Sequence, residues 1–267
     1  MKKCCKIFPL YFSKKRRCAP RSWQEAKELI DYVLLWENTV YAGVETDLIM
    51  VNMTDNPESI EYFKNLDGEK TKSGKILCVH KGNDVGISFG AYDLVFRMAL
   101  DAMKSLSGFK YDYWFFLEDD QIITQENYML DYIRQLDSSP DLAFVAAIGI
   151  ARIGQKLEHA QDGTGCTSFK YLNELYEKRG SLPHCPQPGF PQSAPYKTKK
   201  FRQEFWKNHI FGGEIAFTNH LVRLGYKIEK FNGNKSYVRW ISGNSEKQDI
   251  QEWGVSNFVH KREYDFI

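Results

Sequence analysis

The chain has 267 residues, enough for one large domain or two small ones, and its 15% aromatic content supplies a substantial core. Thirty-six basic residues against 34 acidic ones leave a formal charge of +2, so the molecule as a whole is not a polyanion binder. No apolar run approaches the ~20 residues that a membrane-spanning helix needs.

The charge is uneven. Residues 1–21 hold Lys2, Lys3, Lys6, Lys14, Lys15, Arg16, Arg17 and Arg21 and no acid, and a second basic cluster is Lys197, Lys199, Lys200 and Arg202. Such patches suit phosphates, nucleic acid or an anionic lipid surface, and equally a solvated face. The first apolar segment is interrupted by Lys6 and Pro9, which makes a poor signal peptide. The six cysteines (Cys4, Cys5, Cys18, Cys78, Cys166, Cys185) show no CxxC spacing and read as free thiols of a reducing compartment, hence a cytoplasmic location. A Cys166–Cys185 loop staple is the alternative.

In chain order, Lys6–Phe12 is a short apolar strand, and Trp23–Thr39 has apolar residues at helical spacing. Asp47–Met53 is a strand, followed by Thr54-Asp55-Asn56-Pro57, a helix start with proline in its first turn. Lys75–His80 is the next strand. Its exit, Lys81-Gly82-Asn83-Asp84-Val85-Gly86, is a glycine-bearing turn that brings backbone close to a ligand, and it is neither a Walker loop nor a dinucleotide fingerprint. Phe89–Ser107 reads as a helix. Tyr113–Leu117 is a buried strand that stops at Glu118-Asp119-Asp120. Three adjacent acids repel one another unless a positive charge sits among them, and a hard divalent cation such as Mg²⁺ or Mn²⁺ takes oxygen ligands. A solvated acidic loop has the same composition.

A helix over residues 125–136 and an apolar strand over Ala143–Ile150 follow. Residues 154–168 and 180–200 read as long surface loops around a helix at Phe169–Lys178. Phe211-Gly212-Gly213-Glu214 then leads into a helix that ends near Leu224-Gly225-Tyr226, with Glu214 at the junction and the two glycines clearing space for a substrate. Strands alternating with helices predict an α/β fold with a mostly parallel sheet, one domain with a loop-rich C-terminal third.

The acid triplet at a strand end, the Gly/Asn turn one crossover earlier, and Gly213-Glu214 followed by Gly225-Tyr226-Lys227-Ile228 together resemble the GT-A fold of nucleotide-sugar-dependent glycosyltransferases. The resemblance covers roughly residues 5–230. It implies a single GT-A-like domain, with residues 1–150 binding the nucleotide sugar and 151–267 the acceptor. It also implies residue roles. Asp120 would bind Mn²⁺ or Mg²⁺ and bridge to the donor diphosphate, with Glu118 and Asp119 on ribose, metal-bound water or sugar. Asp55, His80 and Asn83 would lie at the nucleoside, and Arg16 with its basic neighbours at phosphate. Glu214 would deprotonate the acceptor hydroxyl of a glycan, glycoprotein or glycolipid, and the late His260 would complete the metal shell. The chain departs from the family pattern in having EDD rather than a strict DxD, and in lacking a histidine soon after Ile228. Asp249 and Glu252 are competing bases. His209 and His220 read as structural, and Trp240 and Trp253 as sugar platforms or core. No nucleic-acid partner is implied, and the basic N-terminus suits peripheral membrane contact. Two other readings fit less of the pattern: a metal-dependent nucleotidyltransferase, and a carbohydrate- or nucleic-acid-binding module without activity.

Overall fold

The computed structural model describes residues 2–13, 22–105, 110–153, 157–187, 198–233, 237–241 and 250–251. The first half is a series of strand–helix units: β1 (Cys4–Leu10), α1 (Trp23–Thr39), β2 (Thr46–Asn52), α2 (Pro57–Leu66), β3 (Ile76–His80), α3 (Ile87–Lys104) and β4 (Tyr113–Phe116). A short β5 (Gln121–Ile123), α4 (Tyr128–Leu136) and β6 (Leu142–Ala146) follow. An antiparallel pair, β7 (Ile150–Ile153) and β8 (Leu157–Ala160), leads through a tight turn at Gln161–Gly163 into β9 (Gly165–Ser168) and α5 (Phe169–Arg179). The last third contains α6 (Lys199–Phe205), a π-helical segment (Trp206–Ile215), α7 (Ala216–Arg223), β10 (Lys227–Lys230), β11 (Val238–Ile241) and β12 (Ile250–Gln251).

The main sheet has the order β10-β6-β9-β4-β1-β2-β3, parallel throughout except for β9, which runs antiparallel to both of its neighbours. β5, β11 and β12 form a small separate sheet. β1 and β2 are buried along their whole length, as strands covered on both faces must be. On one face, Cys4, Phe8 and Leu10 pack with Leu29, Ile30 and Val33 of α1 and with Tyr132 and Ile133 of α4. On the other, Cys5 and Ile7 pack with Tyr92, Val95 and Phe96 of α3, Leu172 of α5 and Phe217 of α7. The result is helix, sheet and helix in three layers, with the ends of the parallel strands exposing one common carboxyl edge.

Local chemistry sets the helix starts. Ser22 and Glu25 form a reciprocal capping box at α1, with Ser22 N–H donating to Glu25 Oε2 at 2.6 Å. Asn56 caps α2 by accepting from Ser59 N–H at 2.9 Å, with Pro57 at the first helical position.

Lys6 is the exception inside β1. The residue is 1% exposed. The ammonium pairs with Glu37 of α1 and donates to Tyr128 Oη of α4 at 2.9 Å, so the charge is compensated inside the layer.

Residues 157–168 depart from the loop that the composition predicts. They supply β8 and β9, and β9 sits inside the sheet between β6 and β4 with Cys166 and Thr167 buried. The segment is four residues long and glycine-led, too short to show a period. Gly165 is required there, because a Cβ would stand 2.2 Å from Val145 O. The expected strand at 143–150 divides: β6 ends at Ala146, and Ile150 begins β7. The Cys166–Cys185 staple does not form, and both thiols are free and buried.

Candidate active site

β4 delivers its acids to the carboxyl edge through a tight turn. Leu117 N–H donates to Ile7 O at 3.1 Å, and Tyr92 Oη donates to Leu117 O at 2.8 Å, which fixes the strand exit. Glu118 and Gln121 close the turn: Gln121 N–H donates to Glu118 O at 3.2 Å, and Glu118 N–H donates to Gln121 Oε1 at 2.9 Å. Asp119 is buried, while Glu118 and Asp120 are half-buried. Glu118 accepts from Ser88 Oγ in the first turn of α3. Burial pushes the Glu118 carboxyl well above the ordinary carboxylate range. The Ser88 hydrogen bond opposes that shift, and the charges of Asp119, Asp162 and Asp120 add to it.

Asp162 brings Glu214 to the same place. Its N–H donates to Glu214 Oε1 at 3.1 Å. Burial, reinforced by the Asp162 charge and opposed by that hydrogen bond, raises the Glu214 carboxyl to about 8, and burial raises Asp162 to about 6. Both side chains are half-buried. Phe89 of α3 sets the approach of the two segments. A Cβ on Gly163 would stand 2.6 Å from the Phe89 ring, and one on Gly213 would stand 2.9 Å from it. The glycine before Glu214 therefore admits an aromatic ring rather than clearing room for a substrate. Glu214 also lies within a continuous helical run, in the π-helical segment, and not at a helix start. The two glycines, expected just ahead of the helix, are absorbed by the wider π turn.

Asp55 and His80 stand at the ends of β2 and β3, both exposed, with Asp55 Oδ1 3.8 Å from His80 Nε2. Gly82, at φ 69°, folds over them; a Cβ there would be 2.6 Å from Asp55 Oδ1. Asn83 is tied to Lys81, whose Nζ donates to Asn83 Oδ1 at 2.6 Å and to Val85 O at 2.7 Å. Burial lowers the Lys81 ammonium to about 8, against the opposing charge of Asp84. β1 lies between β4 and β2, with β3 beyond, so the Asp55–His80 corner lies two to three inter-strand spacings along the edge from the acid turn, roughly 10–15 Å. Arg16 and His260 lie outside the described residues, as do Lys14, Lys15, Arg17, Asp249, Glu252 and Trp253. His209 is buried, and His220 Nε2 meets Arg179 at 2.7 Å, away from the acids.

Asp162, Ser88 and Gln121 join the site without having been singled out in the sequence. An Asp-Gly pair between strand-forming residues is a signal for a tight turn with positive φ, and Asp162 does adopt φ 55°.

Among the described residues, no three His, Cys, Asp or Glu side chains stand together as a ready metal-ligand set. The donor chemistry nevertheless fits a hard divalent cation. The acids are oxygen donors, and their charges raise the proton affinity of Glu118, a repulsion that a cation would relieve.

No protein-family model matches the sequence, and no curated protein does. Solved structures similar to the chain include the glycosyltransferase GlyE of Streptococcus pneumoniae, at 11% identity over 87% of this chain and 46% of that one, with a TM-score of 0.40. TarS of S. aureus is 14% identical over 89% of this chain and 36% of its own, at 0.41. A cytidylyltransferase from Leptospira borgpetersenii is 11% identical over 88% and 78%, at 0.40. This chain thus spans under half the length of the first two. At these identities and TM-scores the likeness carries no inference about activity.

Proposed function

We propose that the protein is a glycosyltransferase that moves a sugar from a nucleotide diphosphate sugar to the hydroxyl of a glycan or glycoconjugate. The observation that carries this reading is the convergence of Glu118-Asp119-Asp120 and Glu214 at one sheet edge, joined through Asp162. In the proposed arrangement the nucleoside lies at Asp55, His80 and Asn83, and the roughly 10–15 Å to the acid turn is taken up by ribose and diphosphate. Asp120 would hold Mg²⁺ or Mn²⁺, and Glu118 and Asp119 would meet ribose, bound water or sugar; Arg16 and His260 are the further proposed phosphate and metal contacts. When bound, the ion neutralises the leaving diphosphate.

Glu214 is the proposed base. Its carboxylate takes the acceptor proton as the acceptor oxygen bonds to the anomeric carbon, and the bond to diphosphate breaks with its electron pair on the leaving group. Attack from the face opposite the diphosphate inverts the anomeric centre. A carboxyl held at about 8 is a stronger base than an ordinary one, so turnover rises with pH toward that value. Buried free thiols at Cys4, Cys5 and Cys166 suit a reducing compartment, and the cytoplasm is the proposed location.

The test is Glu214→Gln. It is expected to lower kcat by ~10²–10⁴ while the donor Kd stays unchanged. Near-normal kcat in this variant removes Glu214 from the role.

A further inference from the structure

We propose that Asp162 is a positioning residue for Glu214, its backbone N–H fixing one oxygen of the base and its carboxylate making that base stronger. The inference rests on the transferase reading for its kinetic consequence, though not for its geometry. Three observations carry it. The turn at Gln161–Gly163 puts Asp162 at φ 55° and ψ 3°, a conformation that aspartate and asparagine tolerate better than most side chains. In that conformation the Asp162 N–H meets Glu214 Oε1 at 3.1 Å. The turn is also anchored on both sides. Gln161 N–H donates to Gly149 O at 3.0 Å, Ala147 N–H donates to Thr164 O at 2.9 Å, and Gly163 presses on Phe89.

The acid turn shares this anchor. Gln121 Oε1 accepts both Glu118 N–H and Thr164 Oγ–H, each at 2.9 Å. Gln121 is fully buried, so one amide holds the Glu118 turn and the Asp162 turn at a set spacing. Asp162 is thereby placed between Glu214 and Glu118, and its charge bears on both as well as on Tyr92 of α3. Among the described residues, Asp162 is the charged group that acts on Glu214. Two acids so placed do not both ionise easily, and the pair keeps one proton to a higher pH than either acid would alone.

The variant that isolates the carboxylate is Asp162→Asn, because asparagine keeps the backbone N–H and the positive φ. The acid limb of its kcat/KM–pH profile is expected to move to lower pH, with the plateau falling about tenfold as the base weakens. KM for the donor is expected to stay unchanged. A second readout needs no turnover: carboxyl ¹³C NMR titration of the wild-type protein, Asp162→Asn and Glu214→Gln. Each substitution is expected to lower the pH at which the remaining carboxyl titrates. If each carboxyl titrates at the same pH with and without its partner, or the acid limb stays where it was, the inference is overturned and the transferase reading stands. If the carboxyls are coupled but no nucleotide sugar is turned over, the pair stands and the transferase reading falls.

Discussion

Glu214 carries a proton in the folded chain at a pH where an exposed carboxyl has lost it, and so does Asp162 to a smaller extent. The folded state therefore binds more protons than the unfolded state between the ordinary carboxylate range and about 8. Stability is greatest below the unfolded pKa values and declines as pH rises through that window. Melting temperatures at pH 5, 6.5 and 8 are expected to fall in that order, and the fall is expected to be shallower for Glu214→Gln. Equal slopes in the two proteins contradict the buried-carboxyl picture. The acids themselves were legible in the sequence, since Glu118-Asp119-Asp120 breaks an aromatic run and Glu214 follows two glycines. Asp162 was not, because its importance comes from a hydrogen bond across 52 residues to a partner in another segment. Composition carries no record of such a contact.

At the scale of elements, the strong helical and apolar periods were legible: α1 spans Trp23–Thr39 as its pattern predicts, and β2, β3 and β4 lie within a residue or two of their expected bounds. β9 and the π-helical segment were not legible. A four-residue strand has no measurable period, and Gly212-Gly213 reads as cleared substrate space unless the ring of Phe89 is known to stand against Gly213. The lysine inside β1 makes a separate prediction. Lys6 is buried in the central strand, and Glu37 on α1 is its ionic partner, so the two lock the helix to the sheet. Burial works against the Lys6 ammonium, but Glu37 and Tyr128 hold its pKa above the ordinary lysine value. Glu37→Ala is expected to destabilise the fold by about 3–5 kcal/mol, since it leaves a buried cation without its carboxylate. Urea unfolding measures this, and a change below about 1 kcal/mol contradicts the assignment.

At the scale of the molecule, the seven-stranded sheet brings residues far apart in sequence to one edge, where the Asp55–His80 corner, the acid turn and the Asp162–Glu214 pair follow one another, and the proposed function assigns them to nucleotide, diphosphate and sugar in turn. The most direct measurement is a thermal-shift titration of the wild-type protein and Asp120→Asn with UDP-, GDP- and dTDP-sugars, with and without Mn²⁺, and with nucleoside triphosphates in parallel. A donor at about 100 times its Kd adds about 2.7 kcal/mol, which for a chain of this size raises Tm by roughly 5–10 °C. At least one nucleotide sugar is expected to give that rise only with Mn²⁺ present, and to give none in Asp120→Asn. A Tm that no nucleotide sugar moves, or that triphosphates alone raise, contradicts sugar transfer at this edge.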